Sequence, residues 1–128
     1  MSIVMMLEMD RRVNDESIRQ LLVECGINDV VDGDRGFEGN FPSTNMFFSF
    51  REIDGERVKA EDFECEWRVN SEMTFVYVVS EMERCRQQLH CFLEKFVEVF
   101  DCNWVLSFQY ESIYAYGGSS MINWVREL

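Results

Sequence analysis

The chain has 128 residues, of which 47% are hydrophobic and 14% aromatic, and its formal net charge at pH 7 is −12. This length and composition predict one globular domain over residues 1–128 and exclude a disordered chain. The negative charge predicts a surface that repels nucleic acid and attracts basic proteins. No apolar run is long enough to span a membrane, and the run at 3–7 has no basic residue before it, as a signal peptide would.

The cysteines indicate a reducing environment. Their number, five, is odd, and they do not form the close pairs of a zinc site or a redox motif. We therefore expect free thiols in a cytoplasmic protein. The single histidine, His90, follows Leu89 in a predicted helix and is interpreted as a residue at the boundary of the core.

The segment Asp32-Gly33-Asp34-Arg35-Gly36 places carboxylates beside glycines, as some calcium loops do. An EF-hand loop that began at Asp32 would nevertheless have Phe37 at its glycine position and Ser43 at its final glutamate position. We therefore predict no metal site, no cofactor and no catalytic residue.

The N-terminal part of the sequence predicts a strand, a helix and a loop. Residues 3–9 are apolar and suit a first strand. Asn14 can cap a helix over 15–25, where apolar residues repeat at helical spacing. Glycines and a proline then predict a long surface loop over 32–45.

The middle of the chain predicts two hairpins. Residues 46–53 alternate partly between aromatic and polar positions, and Asp54-Gly55 is a typical two-residue turn. Apolar and charged residues alternate most clearly over 62–69, which predicts a strand with its carboxylates in one row. Residues 73–79 form the next predicted strand.

The C-terminal part predicts a long helix from Ser80, its N-cap, to Phe100, followed by strands. The alternation over 104–111 predicts a strand. Residues 113–116 either continue this strand or return as a hairpin, and the glycines and serines at 117–120 are predicted to interrupt the chain. The order of elements predicts an α+β fold: a mainly antiparallel sheet of five to seven strands, with two principal helices packed on one face.

Two concentrations of acidic residues are the candidate binding sites. Residues 29–38 hold four carboxylates and one arginine, and residues 61–72 hold five carboxylates and one arginine. Such a field speeds association with a basic protein. The alternatives are a solvated surface, or catalysis by Glu64 with Glu66, for which the burial that tunes a pKa is not predicted. The predicted partner-binding residues are Asp32, Asp34, Glu38, Asp62, Glu64 and Glu66.

Two further segments carry a resemblance: Gly39-Asn40-Phe41-Pro42-Ser43-Thr44-Asn45 and Ser107-Phe108-Gln109-Tyr110-Glu111. With the size, charge and layout of the whole chain, they resemble the immunity proteins of bacterial polymorphic toxin systems, including contact-dependent growth inhibition. The resemblance implies a small cytosolic protein that is not an enzyme. It also implies one-to-one binding of a cognate basic toxin domain, commonly a nuclease, whose substrate cleft the acidic surface covers.

Two alternative functions remain open from the sequence. A small enzyme or ligand-binding domain would use a pocket between the sheet and the long helix, with Tyr110, Glu111 or Cys102, and would need convergent polar groups there. A protein-binding adaptor or chaperone would recognise a protein without inhibiting it. A neighbouring gene for a basic toxin domain would favour an immunity protein over both.

Overall fold

An eight-stranded antiparallel sheet and two α-helices make up the part of the chain that the computed structural model describes, residues 1–118 and 120–128. A 3₁₀ turn precedes the second helix. The α+β class and the antiparallel sheet agree with the prediction, but the predicted five to seven strands were too few. The elements are β1 (Ser2–Met9), α1 (Asp15–Glu24), β2 (Val31–Asp32), β3 (Gly36–Asn40), β4 (Phe47–Glu56), β5 (Val69–Val78), α2 (Met82–Val99), β6 (Trp104–Phe108), β7 (Ser112–Gly118) and β8 (Met121–Trp124).

The apolar first strand, β1, lies in the centre of the sheet. The strand order is β2-β3-β4-β5-β1-β6-β7-β8, with every neighbouring pair antiparallel. Ser2 of β1 lies opposite Val78 of β5, and Met5 of β1 lies opposite Phe108 of β6. β2 and β8 therefore form the two edges.

The hydrophobic core lies between the helices and one face of the sheet. Side chains alternate along a strand, so every second residue of the central strands points to this face. Phe75 of β5 packs there against Phe41 and against Phe92 of α2, with ring centroids 6.3 and 5.4 Å apart. The core includes Met5, Leu7, Met9, Ile18, Leu21, Leu22, Phe48, Phe50, Met73, Leu89, Phe96, Trp104 and Leu106.

Both predicted helices are present, close to their predicted bounds. Asn14 caps α1: its side chain accepts a hydrogen bond from the Ser17 N–H at 2.9 Å, and the Ser17 hydroxyl accepts one from the Asn14 N–H at 3.2 Å. α2 begins after the 3₁₀ turn without a side-chain cap, so the prediction that Ser80 caps it was wrong. In the described residues neither helix combines the length and hydropathy that a membrane crossing requires.

The glycine-rich segment predicted as a loop over 32–45 contains β3 and the end of β2. Its glycines permit close packing between strands. A Cβ at Gly36 would lie 1.8 Å from the carbonyl oxygen of Phe50 on β4, and one at Gly39 would lie 3.0 Å from the Phe48 ring. These glycines therefore mark the close packing of β3 on β4. Because β3 and the end of β2 were predicted as a loop, the sheet has more strands than the sequence predicted.

Two other predictions for the middle of the chain were wrong. Asp54-Gly55 does not reverse the chain, because β4 continues through it with an irregular register between Glu52 and Glu56 and a positive φ of 60° at Gly55. The predicted strand at 62–69 is a loop up to Val69, where β5 begins. Of the interruption predicted at 117–120, Gly117 and Gly118 instead end β7, Ser120 precedes β8, and Ser119 falls outside the described residues.

Candidate partner-binding surface

The face of the sheet that points away from the helices, here called the outer face, carries the candidate site. Residues 57–68, here called the strap, connect β4 to β5 and cross part of this face. Phe63 of the strap packs against Tyr116 of β7, with ring centroids 5.5 Å apart, and against Trp67, at 6.3 Å. Phe63 thus packs against the sheet and against Trp67, which accounts for two apolar positions of the alternating pattern, while Cys65 between them is exposed.

Glu8 of β1 fixes the strap to the outer face. It alternates with core residues and is only 1% exposed. One carboxylate oxygen accepts a hydrogen bond from the Lys59 N–H at 2.8 Å, and the other accepts one from the Ala60 N–H at 3.1 Å. Burial raises the pKa of Glu8, the two N–H groups oppose that rise, and nearby Glu72 adds to it.

Glu72 lies directly opposite Glu8, on β5, and is 5% exposed. Its Oε1 accepts a hydrogen bond from Arg51 at 3.0 Å, and its Oε2 accepts one from the Tyr110 hydroxyl at 2.5 Å. Burial and this hydrogen bond raise the pKa of Tyr110, so the phenol remains a donor. The two neighbouring carboxylates are therefore satisfied by separate sets of donors.

The tight turn between β6 and β7 ties the strap to the sheet a second time. Gln109 and Tyr110 both have positive φ, 51° and 66°, which is uncommon for residues other than glycine. This conformation places the Tyr110 carbonyl 2.6 Å from the Glu61 N–H of the strap, while the Tyr110 hydroxyl reaches Glu72. The strain of the turn is offset by these two hydrogen bonds.

A groove of about 610 Å³ lies on the outer face between the β2–β3 turn and Glu72. Glu38, Ser49 and Thr74 line it in one row, because they lie opposite one another on β3, β4 and β5. Asp34 adds a carboxylate at the turn. Two arginines also line the groove, but Arg35 pairs with Asp54 and Arg51 pairs with Glu72. Asp34 and Glu38 form no ion pair within the described residues, so they can accept a cationic side chain of a partner.

The strap carries three of the predicted binding residues, Asp62, Glu64 and Glu66, and all three are exposed. None of them takes part in the ion pairs found within residues 1–118 and 120–128. Glu64 and Glu66 line a second groove of about 580 Å³ together with Arg57 and Arg68. These carboxylates are available to a partner.

The other three predicted residues do not share one face. Asp34 and Glu38 are exposed and line the groove on the outer face. Asp32 lies opposite the core residue Phe37 and forms an ion pair with Arg19 of α1, so it points to the helix side of the sheet. The structure therefore brings all three residues to the border of this groove, but the Asp32 carboxylate pairs with Arg19, whereas those of Asp34 and Glu38 form no ion pair within the described residues.

The sequence did not predict the cluster of Glu8, Glu72 and Tyr110, because these residues come from three distant segments of the chain. One signal was present. Glu8 interrupts the apolar run of β1, and Glu72 directly precedes the apolar run of β5. An acid within a strand that is buried on both faces requires hydrogen-bond donors from elsewhere in the fold.

The interface between the sheet and α2 is filled by core side chains such as Phe92, Phe96 and Leu106. Of the residues proposed for a pocket there, Tyr110 lies on the outer face and Glu111 is exposed. Cys102 is buried, and its burial raises the pKa of the thiol to about 12.

His90 is partly exposed on α2 and lines a surface groove that is also lined by Met82, Glu83, Arg86, Gln87, Cys91 and Leu128. Its Nδ1 is 3.0 Å from a carboxylate oxygen of Glu94, one turn further along the helix. Its ring stacks on Trp124 of β8, with centroids 5.1 Å apart and an interplanar angle of 3°. These contacts connect α2 to the last strand.

Comparison of the chain with models of protein families, with curated proteins and with solved structures gave no match. The residues of this chain and their geometry are therefore the basis for inferring its function.

Proposed function

We propose that this chain is a non-catalytic immunity protein that binds a cognate basic toxin domain in the bacterial cytoplasm and neutralises it. The supporting observation is the set of exposed carboxylates on the strap that make no ion pair within the described residues. They are Glu61, Asp62, Glu64 and Glu66. In a chain of net charge −12, such a surface steers a cationic protein toward it.

The attachment of the strap favours tight binding. Glu8 and Tyr110 hold its backbone at residues 59–61, and Phe63 anchors its apolar side on Tyr116. The charged side chains are therefore presented from a backbone that is already ordered. A preorganised surface loses less conformational entropy on binding than a flexible loop does.

The mechanism follows from the charge of the two partners. Carboxylates of the strap would occupy positions that substrate phosphates take in a nuclease cleft. Asp34 and Glu38 would bind a lysine or arginine of the toxin in the neighbouring groove, where the hydroxyls of Ser49 and Thr74 can accept further hydrogen bonds. We expect one-to-one binding with a fast association that weakens as salt is added.

Capture from a lysate of the native cells at low and at high salt, with mass spectrometry of the bound protein, tests the interaction. We expect one basic protein in equimolar amount. Reversal of the strap charges by Asp62→Lys, Glu64→Lys and Glu66→Lys should abolish capture. The matched control reverses three exposed carboxylates of the helices, Glu24→Lys, Glu83→Lys and Glu98→Lys, and should retain it.

Equal loss of capture in both triple variants would show that net charge alone attracts the partner and would contradict a site on the strap. Retention by the strap variant would contradict it as well. Neutralisation is tested by expressing the captured protein alone and together with this chain. We expect growth arrest that the wild-type chain relieves and the strap variant does not. A captured protein without toxicity would favour the adaptor alternative.

A further inference from the structure

β8 leaves one edge of the sheet without a neighbouring strand in the described part of the chain. Proteins usually protect such an edge with charged residues, proline or a very short strand. The opposite edge, β2, has only two residues and ends in Asp32. β8 has four residues, Met121–Trp124, and none is charged or proline. This edge therefore presents its backbone groups for pairing.

Exposed apolar side chains accompany the open backbone. Met121 is 64% exposed and Val125 is 56% exposed. Trp124 lies opposite the core residue Ala115, so Trp124 and Ile122 point to the helix side. Met121 and Asn123 consequently point to the outer face, and Val125 follows β8 in a bend, where its N–H and that of Arg126 both donate to the Tyr114 carbonyl.

The hydrogen bonds between β7 and β8 show which groups face outward. The Val125 N–H donates to the Tyr114 carbonyl at 2.8 Å. Bonded and non-bonded pairs alternate along an antiparallel ladder, so Asn123 and Met121 also bond to β7. The N–H and C=O groups of Ile122 and Trp124 therefore point away from β7.

The charge distribution indicates which partner fits this edge. Residues 112–126 contain no acidic residue and one basic residue, Arg126, although the chain carries a net charge of −12. A basic protein is not attracted to such a segment. Two copies of the chain, in contrast, can pair here without placing a carboxylate of one strand opposite a carboxylate of the other; the nearest acidic groups are those of the strap, whose Phe63 packs on Tyr116 beside β8, and Glu94, which contacts His90.

We propose that two copies of the chain pair antiparallel through β8, about a two-fold axis at Asn123. In this register Ile122 of each copy lies opposite Trp124 of the other, so the outward backbone groups of both residues are bonded. Met121 of each copy then packs against Val125 of the other. The groove and its carboxylates lie near the other edge of the sheet and stay accessible.

Analytical ultracentrifugation of the purified chain over a range of concentrations tests the pairing. We expect a monomer–dimer equilibrium that salt shifts toward the dimer, because salt screens the repulsion between like-charged copies. Met121→Lys with Val125→Lys places like charges opposite each other and should abolish the dimer. Met121→Glu with Val125→Lys, the matched control, places opposite charges there and should retain it.

A wild-type chain that stays monomeric at every concentration would overturn the proposal. So would a dimer that persists in the double-lysine variant. Circular dichroism of each variant verifies that it is folded. None of these measurements uses a toxin. A chain that does not dimerise can therefore still bind a toxin, and a chain that binds no toxin can still dimerise.

Cross-linking tests the register separately. With the exposed thiols replaced by Cys65→Ser and Cys91→Ser, Asn123→Cys should form an intermolecular disulfide under mild oxidation, since the two Asn123 residues face each other across the axis. Arg126→Cys, in the same background, lies away from the axis and should form none. Equal cross-linking of both variants, or none from Asn123→Cys in a dimer, would contradict this register.

Discussion

Glu8 holds the strap through a carboxylate whose pKa is raised above the ordinary value of 4.5 by burial. Between pH 4.5 and the higher pKa of the folded chain, the folded state retains a proton that the unfolded state has released. The contribution of Glu8 to stability therefore falls as pH rises through this interval.

Replacement of Glu8 by glutamine removes this titration. We expect the free energy of unfolding of the wild type, relative to Glu8→Gln, to decrease as pH rises above about 4.5, because only the wild type must ionise a buried carboxyl group. Urea unfolding at a series of pH values measures it. The control Glu127→Gln changes an exposed side chain, and its free energy of unfolding should depend on pH as that of the wild type does. A constant difference between wild type and Glu8→Gln would contradict the raised pKa.

Individual residues differ in how far the sequence revealed their role. Asn14 was predictable as a helix cap, because a cap is a local pattern of side chain and backbone three residues apart. The pairing of Glu8 with Glu72 was not, because it depends on the register between β1 and β5. Asp32 was placed with Glu38 on sequence proximity, and both border the groove, but the Asp32 carboxylate pairs with Arg19.

At the scale of elements, the capping box of α1 is the clearest local determinant of stability. Asn14→Ala removes the acceptor for the Ser17 N–H and should lower the free energy of unfolding by about 1 kcal/mol. Urea unfolding at constant pH measures the change. Gln20→Ala, at an exposed position within α1, should have little effect. An Asn14→Ala variant as stable as the wild type would show that tertiary contacts alone position α1.

The helices and the central strands β1 and β6 were predicted more accurately than the segments from β2 to β5. An apolar repeat at helical spacing over three turns, as in α2, rarely arises in anything but a helix. Alternation over 62–69 does not require a strand, because a loop that lies on a sheet can also turn apolar side chains toward it, as Phe63 and Trp67 do while Cys65 between them is exposed. Glycines likewise occur both in turns and where two strands pack closely, and Gly36 lies where β3 packs closely on β4.

At the scale of the whole molecule, the net charge of −12 opposes folding through self-repulsion. Added salt screens this repulsion, so the melting temperature should rise as sodium chloride is increased from a low concentration. Thermal unfolding followed by circular dichroism measures it. The variant Glu24→Lys, Glu83→Lys and Glu98→Lys has a net charge of −6, since each substitution adds two charges. Its melting temperature should depend less on salt, and an equal dependence would contradict the role of self-repulsion.

The central position of β1 has a consequence for the order in which the molecule folds. β1 is synthesised before β5 and β6, the two strands with which it pairs. Ser2 pairs with Val78 of β5, and Met5 pairs with Phe108 of β6. Until β5 and β6 leave the ribosome, an apolar strand has no native partner, and such long-range pairing is slow to form and prone to aggregation. β1 is also the only link between strands β2–β5 and β6–β8 in the described sheet. The two halves of the sheet can therefore join only when the first strand of the chain is inserted between them.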